Sequence, residues 1–131
     1  METLSAQRAV LAVLLVPASV SVPVQVVHVP DSAAAIAAAI GADLLADEPI
    51  TCPLPDSSGE QAGIYLAADA PLRPDNPRAA VLAARLGLDT DRTVMARLRG
   101  DILITGLNAD SCADHDVPAT VTDLAARHLR P

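Results

Sequence analysis

Lysine, phenylalanine and tryptophan are missing altogether, and Tyr65 is the only aromatic residue among 131. Aromatic rings carry the largest single burial payloads and anchor protein interfaces. Val, Leu, Ile and Ala must therefore build the core, and the stacking platforms that hold single-stranded nucleic acid are not available. With no lysine, all basic charge sits on nine arginines against sixteen carboxylates, a formal net charge of −7. Such a surface repels phosphate backbones, so no direct nucleic-acid contact is expected. The Ala, Arg and Asp bias is what GC-rich coding yields. Cysteine is scarce too: Cys52 and Cys112 lie far apart, each in a segment read as extended or loop. That usage fits a cytoplasmic protein with incidental thiols better than a disulfide framework, although a bridge stays open in an oxidising compartment. Long apolar runs are absent as well. Residues 9–16 form a short one after Arg8, too short to span a bilayer. Glu2 offsets Arg8, and the valine-rich β pattern continues straight past Val16, so the run reads as a strand, not a leader, and no membrane contact is expected.

What is present bounds the fold. An apolar fraction of 51% excludes a disordered chain, and the length admits one domain, residues 1–131, with no repeats and no linker. Residues 9–16 end at Pro17 as a buried strand. Residues 19–26 alternate strictly, placing Val20, Val22, Val24 and Val26 on one face; the phase then flips so that Val27 and Val29 flank His28. Asp31 and Ser32 cap a helix whose stripe is Ala33, Ile36, Ala37 and Ile40, and Gly41 stops it. Residues 50–55, broken by Pro49, Pro53 and Pro55, read as an exposed edge strand paired through a polar turn with residues 63–67. Asn76 and Pro77 start a helix using Val81, Leu82, Leu86 and Leu88, ended by Gly87. A short element follows at 92–99. Residues 100–106 form a strand between glycines, then comes an acidic loop, and Pro118 opens a last helix with Val121, Leu124, Ala125 and His128 on one side. The expected architecture is α+β: a small mixed or antiparallel sheet of about five strands covered by about three short helices.

The valine-rich hairpin, the short Ala helix, the Ile64-Tyr65-Leu66 strand, Asn76-Pro77-Arg78 and Gly100-Asp101-Ile102-Leu103-Ile104-Thr105-Gly106 occur in one order. That order resembles a family of small uncharacterised domains common in actinobacteria and their phages and plasmids. The resemblance covers roughly residues 10–107, rests on the Asn-Pro-Arg box and the Gly-Asp-x-x-x-Thr-Gly strand, and leaves the segment from about 108 outside. It implies a mobile-element or accessory role and supplies no activity.

Each polar cluster has a plain structural explanation beside a functional one. Arg78, in the first turn of a helix, has the place and chemistry to hold an anion or a partner carboxylate, yet capping accounts for Asn76 and Pro77 fully. Asp89-Thr90-Asp91-Arg92-Thr93 matches the Asp-x-Asp-x-Thr pattern of aspartyl-phosphate enzymes, but it follows a helix instead of ending a core strand and no lysine exists to complete such a site. It reads as a polar turn. Asp110, Cys112, Asp114, His115 and Asp116 gather ligand types in one loop, with Cys112 and His115 the candidate pair for a metal. Zinc would need Cys52 and His28 from elsewhere, and a calcium loop would need a central glycine and terminal Glu, so a solvated loop is expected and no cofactor. His28 and His128 read as structural. No nucleophile elbow or phosphate loop exists, so no catalytic residue is assigned.

The expected function is non-enzymatic: an accessory protein that binds another protein, or a further copy of itself, through an edge strand. The contact residues so read are Ile50 and Thr51, with Asn76 and Arg78 at the helix start. An acidic DNA mimic blocking a defence enzyme, and a small-anion binder or enzyme using Arg78, are the alternatives.

Overall fold

The computed structural model describes residues 10–54, 60–88, 96–108 and 113–129. Among these residues six strands form one antiparallel sheet: β1 (Val10–Val16), β2 (Gln25–Pro30), β3 (Ile50–Pro53), β4 (Gln61–Tyr65), β5 (Ile102–Leu107) and β6 (Asp114–His115). Their order is β2-β1-β5-β4-β3, with β6 on the far end of β5. Among the described residues three α-helices complete the α+β fold: α1 (Ala33–Ala39), α2 (Pro77–Arg85) and α3 (Ala119–His128).

Side chains of β1 alternate between two clusters, as the period of two requires. Leu11 and Val13 join Ile36 and Ile40 of the α1 segment on one face. Leu14 and Val16 join Leu82, Ala83, Val121 and Ala125 of α2 and α3 on the other. Both faces are thus covered by short helices whose buried stripes are small and aliphatic. The helix punctuation is local. Ser32 Oγ accepts from Ala35 N at 3.1 Å to start α1, and Gly41 ends it at φ 68°.

Several expectations are corrected. Residues 17–24 form turns, not the first half of a strand, and Val20 is 71% exposed. The strand is the later phase, Gln25–Pro30, because Val27 and Val29 are the pair that meets α1. On α2 the buried residues are Ala79, Leu82 and Ala83, while Val81 is 41% exposed; the buried stripe follows the helical spacing 79, 82, 83 and 86, which leaves position 81 off that face. His128 is exposed, and the α3 segment closes with Leu129 instead. The acidic loop holds a sixth strand.

That strand fills a gap. β5 pairs with β1 only at Ile102–Ile104, and beyond this point Gly106 and Leu107 pair with His115 and Asp114 of β6. The two strands diverge where β6 enters. Ala12 then bonds to the residues that follow β6 rather than to β5: its N–H donates to Asp116 Oδ1 at 2.9 Å, and its carbonyl accepts from Val117 N at 2.8 Å.

Candidate interaction surface

The Asn-Pro-Arg segment is a structural knot. Asn76 is 1% exposed, and its side chain is saturated. Oδ1 accepts from Ala79 N at 3.0 Å, capping α2, while Nδ2 donates to Val16 O and Gly100 O, each at 2.9 Å. One side chain thus ties the helix start to the end of β1 and the approach to β5. Two residues on, Arg78 Nη2 donates to the carbonyls of Pro17, Ser19 and Val22 at 2.7–2.8 Å, which pins the β1–β2 turn. Its Nε is buried without a hydrogen-bond partner, leaving no approach for an anion from that side. Arg73 works alike: Nη1 and Nη2 donate to Ile40 O and Gly41 O at 3.1 and 2.9 Å, and Nε meets Asp69 at 2.8 Å. Arginine's fork suits such multiple carbonyl capture.

A second polar cluster surrounds Asp114. Tyr65 Oη donates to its carboxylate, 2.8 Å from each oxygen, and Thr105 Oγ1 donates to Oδ1 at 2.9 Å. Thr105 is 0% exposed, so no substrate reaches its hydroxyl, and the cluster latches β6 to β4 and β5. Burial first, then the bond to Asp114 and the negative charges of Asp114 and Asp31, push the Tyr65 phenol up above its usual value. The folded phenol holds its proton more tightly than the unfolded one. Its stabilisation is therefore complete below pH 10.0 and is lost as pH rises beyond that. Tyr65→Phe is expected to cost about 1–2 kcal/mol at neutral pH and to remove the tyrosine's share of the alkaline loss, the buried Cys52 thiol keeping its own. Thermal melts at neutral and strongly alkaline pH check both; an unchanged alkaline loss would refute the assignment.

Cys52 is a buried free thiol in β3 whose Sγ lies 3.8 Å from Leu86 O, and burial pushes its pKa up, away from reactivity. Cys112 and the Asp89–Thr93 segment lie outside the described residues. His115 sits against Gly106 at the β5–β6 pairing, and His28 is on the opposite side of β1. Among the described residues no group of three His, Cys, Asp or Glu could hold a metal ion, and no helix is long and apolar enough to cross a membrane.

The two outer strands of the β2-β1-β5-β4-β3 order decide what the sheet can offer a partner. In an antiparallel strand the N–H and C=O of successive residues point to opposite sides. Leu54 N donates to Glu60 O at 3.0 Å, so positions 50, 52 and 54 turn their main chain towards β4. Positions 49, 51 and 53 face outward, and two of these are prolines. Thr51 is left as the single outward N–H between Pro49 and Pro53, a blunted edge. The Ile50 side chain, 7% exposed, belongs to the core. The two residues read as a contact surface thus divide, Thr51 outward and Ile50 inward.

No family model, no curated protein and no solved structure matches this chain.

At the other edge, Ala12 turns its main chain away from β2, so its opposite number His28 turns outward, and Val26 with it. Pro30 O is taken by Ser32 N at 2.9 Å, but Val26 and His28 keep N–H and C=O facing outward, and no described strand pairs with them. Val26 is 45% exposed and His28 is exposed. Beside this edge, Val24, Val26 and Leu14 line a cleft of about 280 Å³ against Ala125 and Leu129, with no charged residue in its wall. Arg78 lines neither this cleft nor those of about 230 Å³ near Asp69 and about 490 Å³ near Ala70. The sequence reading placed the contact at the other edge, on Ile50 and Thr51. Two signals bear on the choice of edge: residues 10–30 contain no Asp, Glu or Arg, and prolines occupy two of the three outward positions of the competing edge, 49 and 53.

Proposed function

We propose that this protein is a non-enzymatic accessory module that acts by binding another polypeptide, and that its contact is strand addition at a sheet edge. The observation that carries this reading is the open main chain of Val26 and His28 beside an uncharged apolar cleft. Main-chain hydrogen bonds supply affinity without aromatic anchors, which this composition does not have. The saturated Asn76 and the carbonyl-bound Arg78 support roles in holding the turn and helix in place over roles in gripping an anion. The mobile-element setting implied by the family resemblance belongs to the same proposal.

Proline substitutions separate the edges. Thr51→Pro removes an outward N–H and is expected to change stability by less than about 1 kcal/mol, leaving partner capture intact. Ile50→Pro removes a ladder bond to β4 and is expected to cost about 3 kcal/mol or more. Val26→Lys, which puts a charge on the β2 edge, is expected to abolish capture in a pull-down from the native host while the fold survives. Capture that is lost with Thr51→Pro and kept with Val26→Lys would move the contact to β3 and end the β2 reading.

A further inference from the structure

We infer that the occupant of the β2 edge is a second copy of this chain, paired antiparallel through β2 about a two-fold axis. The inference rests on the strand-addition reading above and specifies its partner.

Electrostatics selects that partner. The chain carries a net charge of −7, so two copies repel over most of their surfaces. Residues 10–30 are free of Asp, Glu and Arg, and β2 lies within them. A basic partner would find no carboxylate on this strand to pair with, whereas a second copy meets it with an equally uncharged strand and leaves the acidic surfaces of both chains outside the contact. A neutral, valine-rich strand matches, and this chain possesses one.

The register follows from which groups are open. Val26 and His28 point their main chain outward, so the closed arrangement sets Val26 of one copy opposite His28 of the other, with Val27 facing Val27 on the axis. Every outward N–H and C=O of these two residues then finds a partner. The β-branched Val27 pair extends the apolar layer under α1, to which Val27 already contributes. In the same register Asp31 falls opposite Pro23, so no like charges meet at the ends. The prolines at 49 and 53 deny β3 this option, which confines pairing to one edge and stops it at two copies instead of a filament. The contact is modest, an edge about 20 Å long by the rise of a six-residue strand. A contact confined to one strand edge falls short of the roughly 800 Å² per partner of a standard interface. Association is accordingly weak and concentration-dependent, with Val20, Val22 and the neighbouring cleft adding apolar area at its margin.

Sedimentation equilibrium of the intact chain across a wide concentration range tests this. The mass should rise from the 13.4 kDa of one chain towards twice that, and amide exchange at Val26 and His28 should slow as the mass rises. Val26→Lys and His28→Pro should each hold the mass at a single chain with circular dichroism unchanged, whereas Thr51→Pro should dimerise like the parent. A wild-type mass that stays single at every concentration overturns self-pairing, as does a dimer that survives both β2 variants. A synthetic peptide spanning Val24–Pro30 then distinguishes the two levels. If it slows exchange at Val26 and His28 while the chain itself never dimerises, strand addition stands and self-pairing falls. If it leaves those amides untouched, both readings fall together.

Discussion

Replacing Asn76 by aspartate is expected to lower stability by about 3–5 kcal/mol and the melting temperature by roughly 10–20 °C. At an exposed helix start this substitution is nearly silent, because Asp and Asn cap equally well. Here the cap is one of three bonds. The oxygen that accepts from Ala79 N survives the change, but the amide that donates to Val16 O and Gly100 O becomes a second carboxylate oxygen, facing two carbonyl oxygens at a position 1% exposed. A buried charge against two acceptors costs more than a missing side chain, so Asn76→Ala should be milder, about 2–4 kcal/mol. Protonating the introduced carboxyl restores one donor, and the deficit should shrink as pH falls through the carboxylate range. Thermal melts of both variants at neutral and acidic pH check this ordering. An aspartate variant as stable as the parent would reduce Asn76 to an ordinary cap and remove the knot between α2, β1 and the start of β5.

Gly106→Ala is expected to cost about 2–4 kcal/mol and to release β6. A Cβ at this position falls on the His115 ring, with the Asp116 carbonyl directly behind it, so moving the ring cannot make enough room. Gly106 pairs with His115, and the same short strand carries Asp114 to Tyr65 and Thr105. Displacing β6 therefore frees the only tyrosine. Its phenol should titrate closer to its ordinary 10.0 in the variant than in the parent, as followed by ultraviolet absorbance against pH. Loss of stability with an unchanged phenol titration would separate the glycine from the latch. By contrast, the two glycines that end helices, Gly41 at φ 68° and Gly87 at φ 90°, have open space around them and are needed for their backbone angles alone.

The elements with local punctuation were legible in the chain as written. Ser32 and Gly41 delimit α1, Asn76 and Pro77 start α2, and a short apolar run ended by Pro17 marks β1. These signals act between residues a few positions apart, so no distant contact can erase them. The α+β class followed from their order, and the hairpin of β3 and β4 from the prolines and polar turn between two apolar runs. Where periodicity competed with packing it misled: residues 19–26 alternate as well as any strand, yet the ladder begins at Gln25, because Arg78 draws the carbonyls of the preceding turn together.

The candidate site was legible only in outline. That the proposed contact is a sheet edge could be argued from composition, since main-chain bonding suits a protein without aromatic anchors. Which edge could not. The choice depends on the direction in which each N–H points, and that is set by strand neighbours nearly ninety positions apart in the chain, β1 beside β5 and β6 in the gap between them. In the same way Asp114, one acid among several in a loop, becomes a latch only because β4 and β5 bring Tyr65 and Thr105 to it. Caps, stops and composition are properties of neighbouring residues and are written in the amino-acid order. Hydrogen-bond direction and the convergence of polar groups belong to the assembled sheet, and no short stretch of the chain contains them.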